Sequence, residues 1–204
     1  MAYFREDFTI FRQHVDWLAG GGIRVFEFGA QCFYYGPLDG YVWPGDLYHA
    51  LGVREVVSMD LNGRFGSLAR DIREPVDDLG QFDLVTNAGT SEHVEGGLEG
   101  QRVVFERLDE LCKPGGFMFH RLPVEGRCIG HAPITYRPEF AEVLALAAGY
   151  KILHFETPEQ YVWNCLGVLY RKSLRVRTLE LHTGRPGWEL VVDRPNVGRV
   201  GVYK

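Results

Sequence analysis

The chain contains few cysteines. Its 204 residues include only four cysteines, at positions 32, 112, 128 and 165, and they form neither a CxxC pair nor a metal-ligand spacing. This scarcity excludes a disulfide-stapled scaffold and predicts reduced thiols in a cytoplasmic protein. Cys112 and Cys165 lie in apolar segments and are expected to be core residues.

Long apolar runs are missing too. No stretch approaches the roughly 20 apolar residues of a membrane-spanning helix. Residues 1–7 carry Arg5, Glu6 and Asp7 where a signal peptide would have its apolar core. We therefore expect no membrane partner. Hydrophobic content of 46% with 24% charged residues is ordinary for one globular domain.

Basic residues are scarce except near the end of the chain. Residues 1–170 hold 14 Lys and Arg against 24 Asp and Glu, whereas residues 171–204 hold 8 against 3. A basic tail can bind nucleic acid, but an acidic body repels phosphates. We expect a structural tail and no nucleic-acid partner, with RNA binding as the alternative. The candidate RNA-binding residues are Arg171, Lys172, Arg175, Arg177, Arg185, Arg194 and Arg199.

The apolar pattern predicts an α/β fold. Expected strands span residues 23–28, 55–60, 67–72, 82–87, 117–120, 150–155 and 161–170. Helices are expected near 7–19 (capped by Asp7 or Thr9), 45–51, 98–112 and 138–148. Alternating strands and helices predict a three-layer sandwich around a seven-stranded, mostly parallel sheet, with an antiparallel last strand because no helix precedes it. Residues 1–172 would form this domain, and 173–204 a short β-rich C-terminal extension.

Three carboxylates fall at successive strand ends: Glu27, Asp60 and Asp71. The carboxyl ends of parallel strands share one edge of a sheet, so these acids are expected to line one crevice together with Gly29. An acid after the second strand can accept hydrogen bonds from both hydroxyls of a ribose. The next acid can accept one from an adenine amino group.

Six segments together resemble the motifs of the class I S-adenosylmethionine-dependent methyltransferases, over roughly residues 20–171. They are Val25-Phe26-Glu27-Phe28-Gly29-Ala30, Val57-Ser58-Met59-Asp60, Asp71-Ile72, Phe82-Asp83-Leu84-Val85-Thr86-Asn87, Ser91-Glu92-His93-Val94 and Leu111-Cys112-Lys113-Pro114-Gly115-Gly116. The resemblance implies S-adenosylmethionine as cofactor, bound by Glu27, Gly29, Ala30, Gln31, Asp60, Leu61, Asp71, Ile72, Asn87, Ala88 and Gly89. The chain departs from the family after Gly29, where Ala30 and Gln31 stand in place of further glycines.

The expected reaction is methyl transfer to an oxygen or nitrogen of a small molecule. An aromatic loop at 33–43, facing a polar segment at 123–137, would enclose such an acceptor. His93 and His120 are candidate general bases, and each could instead be structural. Metal-dependent methyltransferases typically carry an Asp-Asn pair, which this sequence lacks, so no metal is expected.

Two other functions stay open from the sequence. The glycine-poor first loop would also suit a non-catalytic binding or scaffold protein with the same fold. Thr86-Asn87-Ala88-Gly89 resembles a motif of the short-chain dehydrogenases, which use nicotinamide cofactors. That family also needs a Tyr with Lys four residues later, and none of the ten tyrosines has one.

Overall fold

The computed structural model describes residues 2–16, 21–34, 41–42, 48–157, 159, 165–174 and 191–193. The α-helices with both ends described are α1 (Arg5–His14), α2 (Gly97–Leu111) and α3 (Phe140–Ala148), and residues 48–50 are helical as well. Its strands are β1 (Ala2–Phe4), β2 (Arg24–Phe28), β3 (Cys32–Tyr34), β4 (Tyr41–Val42), β5 (Glu55–Asp60), β6 (Leu68–Ala69), β7 (Phe82–Ala88), β8 (Cys112–Pro123), β9 (Ile134–Tyr136), β10 (Lys151–Glu156), β11 (Cys165–Arg171) and β12 (Val191–Asp193).

Seven strands form the predicted sheet, in the order β10-β11-β8-β7-β2-β5-β6. Strand β2 pairs in parallel with β5 on one side and β7 on the other. Strand β11 runs antiparallel to both of its neighbours, β8 and β10. The predicted α/β sheet with its antiparallel last strand is therefore confirmed. The strand order reverses at β2, which is where α/β sheets bind ligands.

Strand β2 is buried on both faces, which explains its nearly unbroken apolar sequence. Val25 packs on one side of the sheet, in a cluster with Phe11 of α1. Phe26 and Phe28 point the other way and pack in a cluster with Val104 of α2. The two cores hold β2 firmly, so the residues after Phe28 start from a fixed position.

Two strand predictions were wrong in their bounds. Strand β6 covers only Leu68–Ala69, at the edge of the sheet. Strand β8 begins at Cys112 and continues to Pro123, well beyond the predicted 117–120. Cys112 pairs with Phe82 and Phe117 with Leu84, so residues 113–116 form a bulge and the strand resumes after the glycines that suggested a turn.

The predicted helix cap was also wrong. Helix α1 starts at Arg5, so Asp7 lies in its first turn. The Asp7 side chain is fully buried and forms an ion pair with Arg121 of β8, which is 3% exposed. A sequence pattern cannot distinguish this long-range pair from a local cap.

The segment expected to be a long aromatic loop contains short strands. Strand β3 pairs in parallel with β1 and antiparallel with β4, giving a separate three-stranded sheet. Residues 35–40 and 43–47 lie outside the described residues, so the helix predicted at 45–51 is described only from residue 48. The predicted lid is therefore described only in part.

Most of the basic tail, 175–190 and 194–204, lies outside the described residues. Strand β12 pairs antiparallel with β9, and Val191 is 4% exposed within the core of the main sheet. Among the described residues, no helix combines the length and hydropathy needed to cross a membrane.

Candidate active site

The loops after β2 and β5 are joined by hydrogen bonds at the switch point of the sheet. Gly29 N donates to Met59 O at 2.8 Å, and Ser58 Oγ donates to Gly29 O at 3.1 Å. Ala30 N donates to Asp60 Oδ2 at 3.0 Å. The predicted residues Gly29, Ala30 and Asp60 are thus brought together in one hydrogen-bonded platform.

Asp60 retains capacity to bind a ligand. Its Oδ1 accepts a further hydrogen bond from Asn62 N at 3.1 Å, and the residue is partly exposed. A carboxylate has about four acceptor positions, so these two backbone bonds leave room for a diol. Leu61, the next residue, is 74% exposed. It places apolar surface beside the carboxylate, which is the combination that a nucleoside needs.

The space over Gly29 is occupied by side chains from two loops. Gln31 is 2% exposed, and its Nε2 donates to Thr90 Oγ1 at 2.7 Å and to Phe28 O at 3.1 Å. A Cβ built on Gly29, where φ is +91°, would lie 2.2 Å from Thr90 Oγ1. The sequence flagged Gln31 as a departure from the family, but it could not reveal this bridge to the loop after β7. Glu27 lies two residues before Gly29 on β2, where it pairs in register with Ser58 and Thr86. It is 4% exposed.

The segment after β7 could contact a ligand through main-chain atoms rather than through side chains. Asn87 is fully buried, and its Oδ1 accepts hydrogen bonds from Ser91 N at 3.1 Å and Thr90 N at 3.3 Å. Ala88 is 1% exposed in the core, and Gly89 has a φ of 79°. The Asn87 side chain therefore shapes the turn. Contact between residues 87–89 and a ligand would have to use main-chain atoms.

The third predicted acid is already paired. Arg73 Nε donates to both oxygens of Asp71 at 3.0 Å, and Arg73 N donates to Oδ1 at 2.9 Å. These hydrogen bonds lower the pKa of Asp71. Ile72 is 2% exposed in the core, so only its backbone could face a ligand. A contact between Asp71 and an adenine amino group would compete with this ion pair.

The sequence predicts His120 near the end of a strand, and this prediction was wrong. Because β8 continues to Pro123, the imidazole sits inside the strand and is 1% exposed. Phe105 and Tyr170 pack against it, with ring centroids at 5.3 and 5.8 Å. Burial lowers the pKa of His120 to about 3, so the ring is neutral at pH 7. Its position is that of a core side chain.

This buried imidazole should make stability depend on pH. In the unfolded chain, His120 gains a proton as the pH falls through 6.5, whereas the folded protein resists protonation down to about pH 3. Stability is therefore lost on going from pH 7 to pH 5, and His120→Gln should remove about 2 kcal/mol of that loss. Urea unfolding of both proteins at the two pH values measures it. Equal losses in wild type and variant would contradict the assignment.

His93 lies in the turn Ser91–His93 and its side chain is 39% exposed. Its ring centroid is 5.2 Å from that of His131, and both imidazoles face the buried carboxylate of Glu92. Sequence reasoning named Glu92 only as part of a motif and did not name His131. Only the fold could bring His131 from the 123–137 segment to this turn.

Known structures resemble this fold at low sequence identity. The N-methyltransferase NodS from Bradyrhizobium japonicum WM9 is 16% identical over 83% of this chain and 96% of that chain, with a TM-score of 0.57. The 1,6-didemethyltoxoflavin-N1-methyltransferase from Burkholderia thailandensis is 18% identical over 83% and 77% of the two chains, with a TM-score of 0.52. No family model and no curated protein sequence matches the chain. The sheet order and these likenesses agree with the sequence resemblance, and the chain has the fold of the class I S-adenosylmethionine-dependent methyltransferases.

Proposed function

We propose that the protein is an S-adenosylmethionine-dependent methyltransferase that acts on an oxygen or nitrogen of a small molecule. The observation that carries this proposal is the position of Asp60 at the switch point, hydrogen-bonded to Ala30 N and followed by the exposed Leu61. Two neighbours of the same fold support it. NodS has been solved with S-adenosyl-l-homocysteine, and the toxoflavin enzyme with 1,6-didemethyltoxoflavin and S-adenosylhomocysteine.

The residues present fit the two halves of this cofactor differently. For the adenosine half, Asp60 can accept from the ribose hydroxyls while Leu61 contacts the base. For the methionine half, the groups near Gly29 are the Gln31 amide, the Thr90 hydroxyl and the Glu27 carboxylate. These can bind a carboxylate and an ammonium group, but they leave less room than a loop of glycines does.

S-Adenosylmethionine supplies a methyl group on a sulfonium centre. The task of the protein is then to align the acceptor with that carbon and to exclude water. Gly29, Ala30 and Asp60 form a platform that is tied to the buried strand β2. This platform would hold the adenosine half of the cofactor in a fixed position.

Two basic residues of the tail already contact other groups of the protein, which favours a small acceptor over RNA. Lys172 is 7% exposed, and its Nζ donates to Asp109 O at 2.6 Å and lies 2.9 Å from Asp109 Oδ1. The Arg171 guanidinium lies 5.7 Å from the ring centroid of Phe117. These basic groups are engaged within the protein. The other candidate RNA-binding residues lie outside the described residues.

Titration calorimetry with S-adenosylhomocysteine tests the proposal, with NAD⁺ as the matched control for the dehydrogenase alternative. We expect one site with micromolar affinity for S-adenosylhomocysteine and no heat of binding for NAD⁺. Failure of S-adenosylhomocysteine to bind at millimolar concentration would refute the proposal. Binding without transfer to any small nucleophile in a broad panel would favour the scaffold function, which the filled space over Gly29 also supports.

A further inference from the structure

Glu92 is a buried carboxylate in an unusual situation. It is fully buried, and within the part of the chain that the structure describes neither of its oxygens accepts a well-aligned hydrogen bond; the nearest polar groups are the imidazoles of His131 and His93. Burying a carboxylate without hydrogen bonds or a nearby cation costs several kcal/mol. A cation next to the Glu92 carboxylate would offset this cost.

Two imidazoles face the same oxygen of this carboxylate. His131 Nε2 lies 3.4 Å from Glu92 Oε1, and His93 Nε2 lies 3.9 Å from it. The candidate ligand atoms of the three residues all lie within 4.8 Å of one another. Ligands at 2.0–2.2 Å from a common ion are about 3–4 Å apart. Small side-chain movements would close the three around one ion.

The turn that presents Glu92 is rigidly held. Tyr136 Oη donates to Gln101 Oε1, Gln101 Nε2 donates to Ser91 O at 2.7 Å, and Asn87 Nδ2 donates to Ser91 Oγ at 2.9 Å. All of these groups are buried. The carboxylate is thus fixed from inside the protein, while the His93 and His131 side chains, at 39% and 38% exposure, leave a path from solvent.

We propose that Glu92, His93 and His131 bind a divalent transition-metal ion such as Zn²⁺ or Mn²⁺. Two imidazoles and one carboxylate are ligands that these ions share, and three protein ligands leave coordination positions open. If the proposed function holds, an open position next to the loop after β7 would take a hydroxyl oxygen of the acceptor. The proposal replaces the sequence-based expectation of a metal-independent enzyme, with His93 as a ligand rather than a general base.

A thiol site is the competing interpretation. Cys128 Sγ lies 3.9 Å from Cys165 Sγ, and the hydrogen bond between them lowers the pKa of Cys128 to about 7. Cys128 is not among the residues whose ligand atoms lie within 4.8 Å. Mn²⁺ distinguishes the two sites, because it prefers oxygen and nitrogen ligands to thiolates.

The test is metal titration of the full chain after treatment with a chelator. Free Mn²⁺ is followed by electron paramagnetic resonance and Zn²⁺ binding by calorimetry. We expect one equivalent of each ion to bind, Zn²⁺ more tightly. Glu92→Gln and His131→Ala should each weaken binding tenfold or more. His154→Ala, which removes a histidine 3.0 Å from another glutamate, and Cys128→Ser should stay within twofold of wild type.

Three outcomes would overturn the metal site: no stoichiometric binding by the wild type at millimolar ion, unchanged binding in Glu92→Gln, or loss of binding in Cys128→Ser. Thermal unfolding of each variant without metal shows that it is folded. S-Adenosylhomocysteine titration of the metal-free protein separates this proposal from the proposed function. The metal site stands if ions bind and the nucleoside does not.

Discussion

Replacing Asp60 with alanine should weaken the binding of S-adenosylhomocysteine by about 100-fold or more. Each hydrogen bond to a charged acceptor contributes about 1.5–3 kcal/mol, and a ribose diol would make two of them. Asp60 also anchors the backbone of Ala30 and Asn62, so the variant would loosen the loop that carries Gly29. Calorimetry of wild type and variant measures the change.

Two further variants control this experiment. Asp60→Asn keeps one oxygen acceptor and removes the charge, so its affinity should fall between those of wild type and Asp60→Ala. Asp77→Ala removes another exposed carboxylate, at the start of the short 3-10 helix Asp77–Leu79, and should bind like wild type. Equal affinity of Asp60→Ala and wild type would show that the ribose does not bind at this acid.

Asp7→Ala should reduce the free energy of unfolding by about 3–5 kcal/mol. Asp7 is fully buried and its ion pair with Arg121 links α1 to β8. The variant leaves the guanidinium buried without this carboxylate, and that desolvation is no longer compensated. Urea unfolding at pH 7 measures the loss.

A double variant separates the ion pair from packing. Asp7→Leu combined with Arg121→Met replaces both charges by apolar groups and should cost less than Asp7→Ala alone. Glu159→Ala, which breaks the exposed pair with Arg127, should change stability little. A double variant less stable than Asp7→Ala would mean that the charges themselves stabilise this contact.

The fold was predictable because its signals are local. The apolar run at 24–28 is buried on two faces, the run at 55–60 forms the neighbouring, partly buried strand, and the glycine after α3 ends that helix with a φ of 70°. Parallel strands share one edge, so placing Glu27, Gly29 and Asp60 together followed from the strand order alone. The structure brings these three residues to the switch point.

Contacts between distant segments were not predictable. The Gln31–Thr90 bridge, the Asp7–Arg121 pair and the approach of His131 to Glu92 each join residues far apart in sequence. Strand β8 continues past residue 120 to Pro123, so His120 lies inside the strand rather than at its end. Such features depend on tertiary packing, which the spacing of apolar residues in the sequence does not predict.

A crystal structure of the protein with S-adenosylhomocysteine tests the central claim most directly. We predict the ribose hydroxyls within hydrogen-bond distance of Asp60, the adenine against Leu61, and the amino-acid end beside Gln31 and Thr90. Electron density for the ligand away from the ends of β2, β5 and β7, or no density at saturating concentration, would contradict the account.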